Sequence, residues 1–281
     1  MAPDGSGDLH RLTPDVADVH PSVSADGKRL SYRVHISDNH DEIRVLDLES
    51  GRQIARIARD LDRDEPPILS PAGDEIAYVS SGLFRMRLPD GTPERVSRRG
   101  FNNISCWTAD GKRMIVQHGR RGLGLLDTQS GEEREFLRDE RFPIVEARFS
   151  PDDKWVAFTL ASRPHPRIHI VPVETPGPPW IAVTASDVSA ASPAWSADTN
   201  QIYFLAQCQG FRCIWARRLD PHRKQPQGEP FPVRHFQNAR YSLLGGIDPQ
   251  NVGLVSARDK LVFGMFETTG NIWSLPALPR P

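Results

Sequence analysis

The sequence predicts an all-β fold, a six-bladed β-propeller of four-stranded antiparallel blades whose ring is closed by the N-terminal strand. Three observations carry that expectation. A short phrase recurs five times, its spacing stays near forty residues, and the two ends of the chain read as complementary parts of one blade. The copies are Val23-Ser24-Ala25-Asp26-Gly27-Lys28-Arg29-Leu30, Leu69-Ser70-Pro71-Ala72-Gly73-Asp74-Glu75-Ile76 and Trp107-Thr108-Ala109-Asp110-Gly111-Lys112-Arg113-Met114, then Phe149-Ser150-Pro151-Asp152-Asp153-Lys154-Trp155-Val156 and Trp195-Ser196-Ala197-Asp198-Thr199-Asn200-Gln201-Ile202. The anchoring Ser or Thr stands at 24, 70, 108, 150 and 196, so the gaps are 46, 38, 42 and 46. A period near forty built of strand-like phrases means small sheets arrayed around an axis, because no single unit can bury its own apolar face.

Each unit reads as four strands, A to D. Strand A ends at the anchor, and the Asp-Gly or Asp-Asp turn reverses the chain because those residues tolerate positive φ. Strand B follows as Ile76-Ala77-Tyr78-Val79, Trp155-Val156-Ala157-Phe158 or Ile202-Tyr203-Phe204-Leu205. Such β-branched and aromatic runs without alternation suit strands covered on both faces. Strand C comes next, and a turn such as Glu49-Ser50-Gly51 or Gln129-Ser130-Gly131 leads to a charged outer strand D. The blades are placed at about 14–58, 59–98, 99–140, 141–185, 186–236 and 237–281, all within one domain.

The sixth unit is degraded. Lys260-Leu261-Val262-Phe263 reads as strand B and Asn271-Ile272-Trp273-Ser274-Leu275 as strand C, with Ser256 as anchor. Pro276, Pro279 and Pro281 end it before a strand D, since proline cannot donate to a central ladder. Residues 8–13 look like an orphan strand D, so pairing 8–13 with 271–275 would close the ring and remove both open edges.

Composition agrees with a core divided among thin interfaces. Apolar residues make up 38%, and the chain holds 25 Pro and 21 Gly, with mean hydropathy −0.47. A net charge of −1 provides no global field toward nucleic acid or anionic membrane. No apolar window is long enough to span a bilayer. The first seven residues lack the apolar region of a signal peptide, so a cytoplasmic chain, or a soluble periplasmic part of a longer protein, is expected.

The pattern Pro-x-(Trp/Phe/Val)-Ser-x-Asp-Gly-Lys resembles the TolB-like propeller repeat, a relative of the WD repeat. His20-Pro21-Ser22-Val23-Ser24-Ala25-Asp26-Gly27-Lys28 and Ser192-Pro193-Ala194-Trp195-Ser196 carry it most fully, and it covers nearly the whole chain. The ending Glu267-Thr268-Thr269-Gly270-Asn271-Ile272-Trp273 resembles the last blade of propellers that form the C-terminal sensing half of some bacterial regulators. The resemblance implies a binding module.

Searches for chemistry return little. No nucleophile elbow, Walker loop or zinc-protease helix is present. Gly119-Arg120-Arg121-Gly122-Leu123-Gly124 joins two strands and reads as a hairpin tip. His165 and His169 would stand about 13 Å apart along a strand, too far to share an ion, and read as surface histidines. The run from Asp60 to Glu65 fails the calcium-loop test at its sixth and twelfth positions. The tryptophans read as packing between blades.

What remains is geometric. The regular A–B and C–D turns share one face of the ring, and the irregular D–A and B–C connections share the other, where recognition is expected. Residues opening the A strands, His20, Glu65, Asn103, Glu146 and Ser192, would ring the channel mouth as ligand-binding groups. That face also reads as polarised. Asp38, Asp41 and Glu42, with Asp60, Asp62, Asp64 and Glu65, are acidic; Arg98, Arg99, Arg120, Arg121, Arg138, Arg141, Arg163 and Arg167 are basic. Arg98, Arg99, Arg120, Arg121 and Arg163 would form a partner-binding rim. Cys208 and Cys213 flank a hairpin tip and could form a disulfide or remain thiols.

The expected function is a monomeric recognition or scaffold module for a protein partner, or a small ligand, with no cofactor, metal or catalytic residue. It would be the sensing part of a bacterial regulator or envelope protein. The alternatives are a polysaccharide lyase or hydrolase with its site in the channel, for which His20, Glu65 and Glu146 are the candidate groups, or a structural spacer.

Overall fold

The repeated phrase folds through one hydrogen-bonding device. In the first copy the Ser24 hydroxyl donates to Asp26 Oδ1 (2.6 Å) and accepts the Arg29 N–H (3.0 Å), while Asp26 Oδ1 also accepts the Lys28 N–H (3.0 Å). Thr108 with Asp110, Ser150 with Asp152 and Ser196 with Asp198 repeat it. In the second copy the acceptor slides to Asp74. The turn needs one left-handed residue, supplied by Gly27, Gly73 and Gly111, and by Asp153 and Thr199 in the last two copies.

The structure, a computed structural model, describes residues 9–13, 18–37, 40–59, 66–97, 103–119, 121–208, 210–236, 241–243, 253–258 and 260–267. Five four-stranded antiparallel blades follow the chain. Blade one is β1 (Asp18–Val23), β2 (Arg29–Ser37), β3 (His40–Asp47) and β4 (Gln53–Arg59). Blade two is β5 (Ile68–Leu69), β6 (Glu75–Ser80), β7 (Gly82–Arg87) and β8 (Glu94–Ser97). Blade three is β9 (Asn103–Trp107), β10 (Arg113–His118), β11 (Gly122–Asp127) and β12 (Glu133–Arg138). Blade four is β13 (Ile144–Phe149), β14 (Trp155–Leu160), β15 (Arg167–Pro172) and β16 (Ile181–Ala182). Blade five is β17 (Ala190–Trp195), β18 (Gln201–Cys208), β19 (Phe211–Leu219) and β20 (Pro226–Arg234).

The blade count departs from the expectation: the described residues form five four-stranded blades, not six. After β20 the described residues give two short ladders, β21 (Tyr241–Ser242) with β24 (Phe266–Glu267) and β22 (Val255–Ala257) with β23 (Lys260–Val262). Ser256, expected to end an A strand as its anchor, lies inside β22 opposite Leu261. Residues 9–13 carry no strand, and Leu9 and Leu12 are exposed. The proposed partner strand 271–275 lies outside the described residues.

The core is divided as composition suggests. Separate apolar clusters fill the interfaces between blades one and two (around Ile43, Val45, Ile76 and Tyr78), two and three, three and four, and four and five. The β22–β23 hairpin then packs on both sides of the gap that five blades leave. Leu254 and Leu261 join the blade-five cluster, and Val262 joins Leu30, Tyr32 and Val34 of blade one. Lys260 Nζ reaches the Gly27 carbonyl (3.1 Å), and the Ser256 hydroxyl donates to the Trp195 carbonyl. Among the described residues no helix is long and apolar enough to cross a membrane.

Candidate functional site: the channel mouth

The inner strands of blades one, four and five share a distortion. His20, Glu146 and Ser192, each four residues before the anchor, have left-handed φ of 57°, 54° and 56°. At each of these points the A–B register slips, between Val19 and Ser22, Val145 and Arg148, and Ala191 and Ala194. Such a bulge re-aims a side chain without breaking the strand. Gly253 takes the same conformation (54°) next to Pro21. The second unit has Pro66 at this position, whose ring fixes φ near −65°.

These residues meet. His20, Asn103, Glu146 and Ser192 line one cavity with Pro21, Pro66, Ser105, Arg148 and Gly253, so four of the five residues expected at the mouth are brought together. Glu65 lies outside the described residues. The mouth residues are buried rather than displayed: His20 and Ser192 are 4% exposed and Glu146 8%. Glu146 joins two blades, since its Oε1 accepts the Ser192 hydroxyl (2.6 Å) and its Oε2 accepts the Ser192 N–H and the Thr159 hydroxyl (2.8 Å each). Asn103 Oδ1 is buried and has no hydrogen-bond partner among the described residues.

Sequence reasoning missed Arg148. It lies two residues after Glu146 and joins blade four to blade three, its Nη1 donating to the Ser105 carbonyl (2.5 Å). An acid and a base two apart inside an otherwise apolar strand A was the available signal. The space left within the cavity is about 30 Å3, room for one or two water molecules. A larger hollow of about 450 Å3 lies elsewhere, on blade four among Trp155, Pro172, Pro178, Pro179 and Ile181.

The charged sectors are also revised. Asp41 and Glu42, expected on the recognition face, are buried on β3. Burial works against ionised Asp41, but hydrogen bonds from Arg33 and His35 hold its carboxyl below the usual range. Glu42 is likewise lowered, chiefly by Arg56 with help from Arg44. Arg138 pairs with Glu140 (2.7 Å), Arg141 lies over the Phe142 ring and Arg167 donates to Ser162. Asp38, the acids at 60–65, Arg98, Arg99 and Arg120 lie outside the described residues. Of the expected rim, Arg121 and Arg163 are described and exposed. Arg121 donates one hydrogen bond to the Glu140 carbonyl (2.8 Å).

His169 is not a surface residue. It stacks on Phe158 (5.7 Å) and meets the edge of Trp180, and burial pushes its pKa down to about 4. Cys208 and Cys213 are free thiols, and their positions are diagonal rather than opposite: Cys208 faces Phe211 and Cys213 faces Ala206.

No protein-family model matches the chain. Among solved structures it is similar to a TolB-type protein from Agrobacterium tumefaciens, with 19% identity and a TM-score of 0.61 over 79% of this chain and 82% of that one. It is similar to the β-propeller domain of the Trilobed protease from Pyrococcus furiosus, which has an open velcro topology (13% identity, TM-score 0.58, 89% and 91% covered). It is also similar to an oligogalacturonate lyase in complex with manganese (17% identity, TM-score 0.55, 77% and 67% covered). The fold is therefore a TolB-like β-propeller. At these identities the likeness extends to the fold and to no ligand or reaction.

Proposed function

We propose that the chain is a non-enzymatic recognition module that binds a protein partner across the face carrying the B–C and D–A connections, centred on the channel mouth. The small cavity among the described mouth residues carries this reading. About 30 Å3 is far below the several hundred that ligand pockets take, and the three described acceptor contacts of Glu146 already tie it to Ser192 and Thr159. A cavity of that size is too small for a sugar ring beside His20 and Glu146, the two described candidates for a lyase or hydrolase. Whatever is recognised must lie over the mouth, where a broad surface can supply the area a stable complex needs. The resemblance of residues 267–273 to sensing propellers supports a place in a bacterial regulator or envelope protein.

The exposed Arg121 and Arg163 close neighbouring B–C connections and would meet carboxylates on the partner. A partner captured from source-cell lysate, identified and purified should bind the Arg121→Glu/Arg163→Glu double variant at least about tenfold more weakly. Its affinity for the parent should fall with salt, because charges are screened over about 8 Å at physiological ionic strength. Arg52→Glu, on the opposite face, should bind as the parent does. Equal affinity of the double variant and the parent would reject this face.

A further inference from the structure

We propose that Cys208, Cys213 and His235 form a zinc site at the end of blade five. Their ligand atoms all lie within 4.8 Å of one another. The sheet register produces this grouping. Ala206 pairs with Cys213 and Cys208 with Phe211, so the two cysteines, each two positions from the other's register partner, fall diagonally on one face of the β18–β19 hairpin. Ile214 pairs with Arg234, which brings His235 beside Cys213 as the chain leaves β20. Three ligands thus come from the ends of three adjacent strands, a more rigid support than a single loop.

Two sulfurs and an imidazole are the donor set of a thiophilic, tetrahedral cation, and oxygen-seeking magnesium or calcium would not choose it. With bonds of about 2.0–2.3 Å, tetrahedral ligands stand about 3.3–3.8 Å apart, so closing the site takes side-chain movements of about 1 Å. Cys213 is the fixed member: it is fully buried, and its sulfur accepts the Phe236 N–H. The Trp215 ring meets the His235 imidazole edge to face at 6.2 Å and limits its orientation. Cys208 is half-buried and His235 exposed, so an ion can enter from solvent and a fourth position is left for water or a partner's side chain. A disulfide would compete, since oxidation removes both sulfur ligands.

Cobalt(II) reports this chemistry directly. The full chain, purified with reductant, stripped by chelator and desalted, should take up about one cobalt and develop a thiolate-to-cobalt charge-transfer band that zinc abolishes. Cys208→Ser and His235→Ala alter positions outside the packed core. Each should weaken cobalt binding more than about 100-fold, beyond the 10–100-fold typical of losing an outer partner of a ligand. His222→Ala, at the opposite end of the blade, should leave the titration unchanged. A missing thiolate band, or a band retained in His235→Ala, would overturn the site. So would a protein isolated with Cys208 and Cys213 bridged that takes up no cobalt once reduced.

Discussion

His169 shows how a single residue's environment can reverse a reading made from spacing. Its position on β15 has a sequence neighbourhood that looks open, yet Phe158 and Trp180 enclose the ring, and burial favours the neutral imidazole. The consequence has a definite sign. Below about 6.5 the unfolded chain takes up a proton that the folded protein refuses until about pH 4. His169 therefore costs stability as pH falls through that window, by up to about 1.4 kcal/mol per unit. His169→Leu, which cannot titrate, should flatten the decline in Tm between pH 6.5 and 4 relative to the parent. Parallel curves in a melting series would show that other groups set the acid limb.

At the scale of the element, the repeat turn tolerates substitution unevenly. Its left-handed position carries glycine in the first three copies, but in the fifth it carries Thr199 with φ 61°, a conformation that β-branched residues resist. Thr199 persists there with a partner, since its hydroxyl accepts a hydrogen bond from the buried Lys224 ammonium (3.0 Å). Asparagine tolerates positive φ and keeps an acceptor. Thr199→Asn should raise stability by about 1 kcal/mol, some 2–4 °C in Tm; a lower Tm would mean that the Lys224 contact outweighs the backbone strain. The C–D turns use a second device. Asp47, Asp127 and Asp220 each accept backbone N–H groups of the residues that follow, and these bonds hold their carboxyls below the usual range.

For the whole molecule, the described residues meet around the ring through the β22–β23 hairpin rather than through a complete sixth blade. Gly253 stands where this segment meets blade one. A Cβ there would approach Pro21 Cδ to 2.8 Å, and φ is +54°. Gly253→Val would combine backbone strain with a wedge against blade one, an expected cost of about 2–4 kcal/mol. Gly177→Val, with open space around it, should cost far less. Denaturant melts of the two variants compare these directly, and equal midpoints would show that the blade-one seam does not limit stability.

The fold was legible because a propeller writes the same local rule many times. A Ser or Thr anchor, an acidic turn and a β-branched strand B appear in five copies, and the described residues form five four-stranded blades. The sixth unit was over-read: its described residues pair as the short β22–β23 hairpin, with Ser256 opposite Leu261 and Ala257 opposite Lys260. The residues opening the A strands could also be named in advance, since they lie four or five residues before the anchor along the chain. Whether Glu146 faces solvent or Ser192 depends on the neighbouring blade, 46 residues away. Burial of Asp41, Glu42 and His169 likewise depends on what packs over them. Sequence periodicity determined the strands and their order, since those arise from local turn chemistry and alternation. Tertiary structure decided the small cavity at the mouth, the enclosed charges and the grouping of Cys208, Cys213 and His235, because each requires side chains that only strand pairing or blade packing brings together.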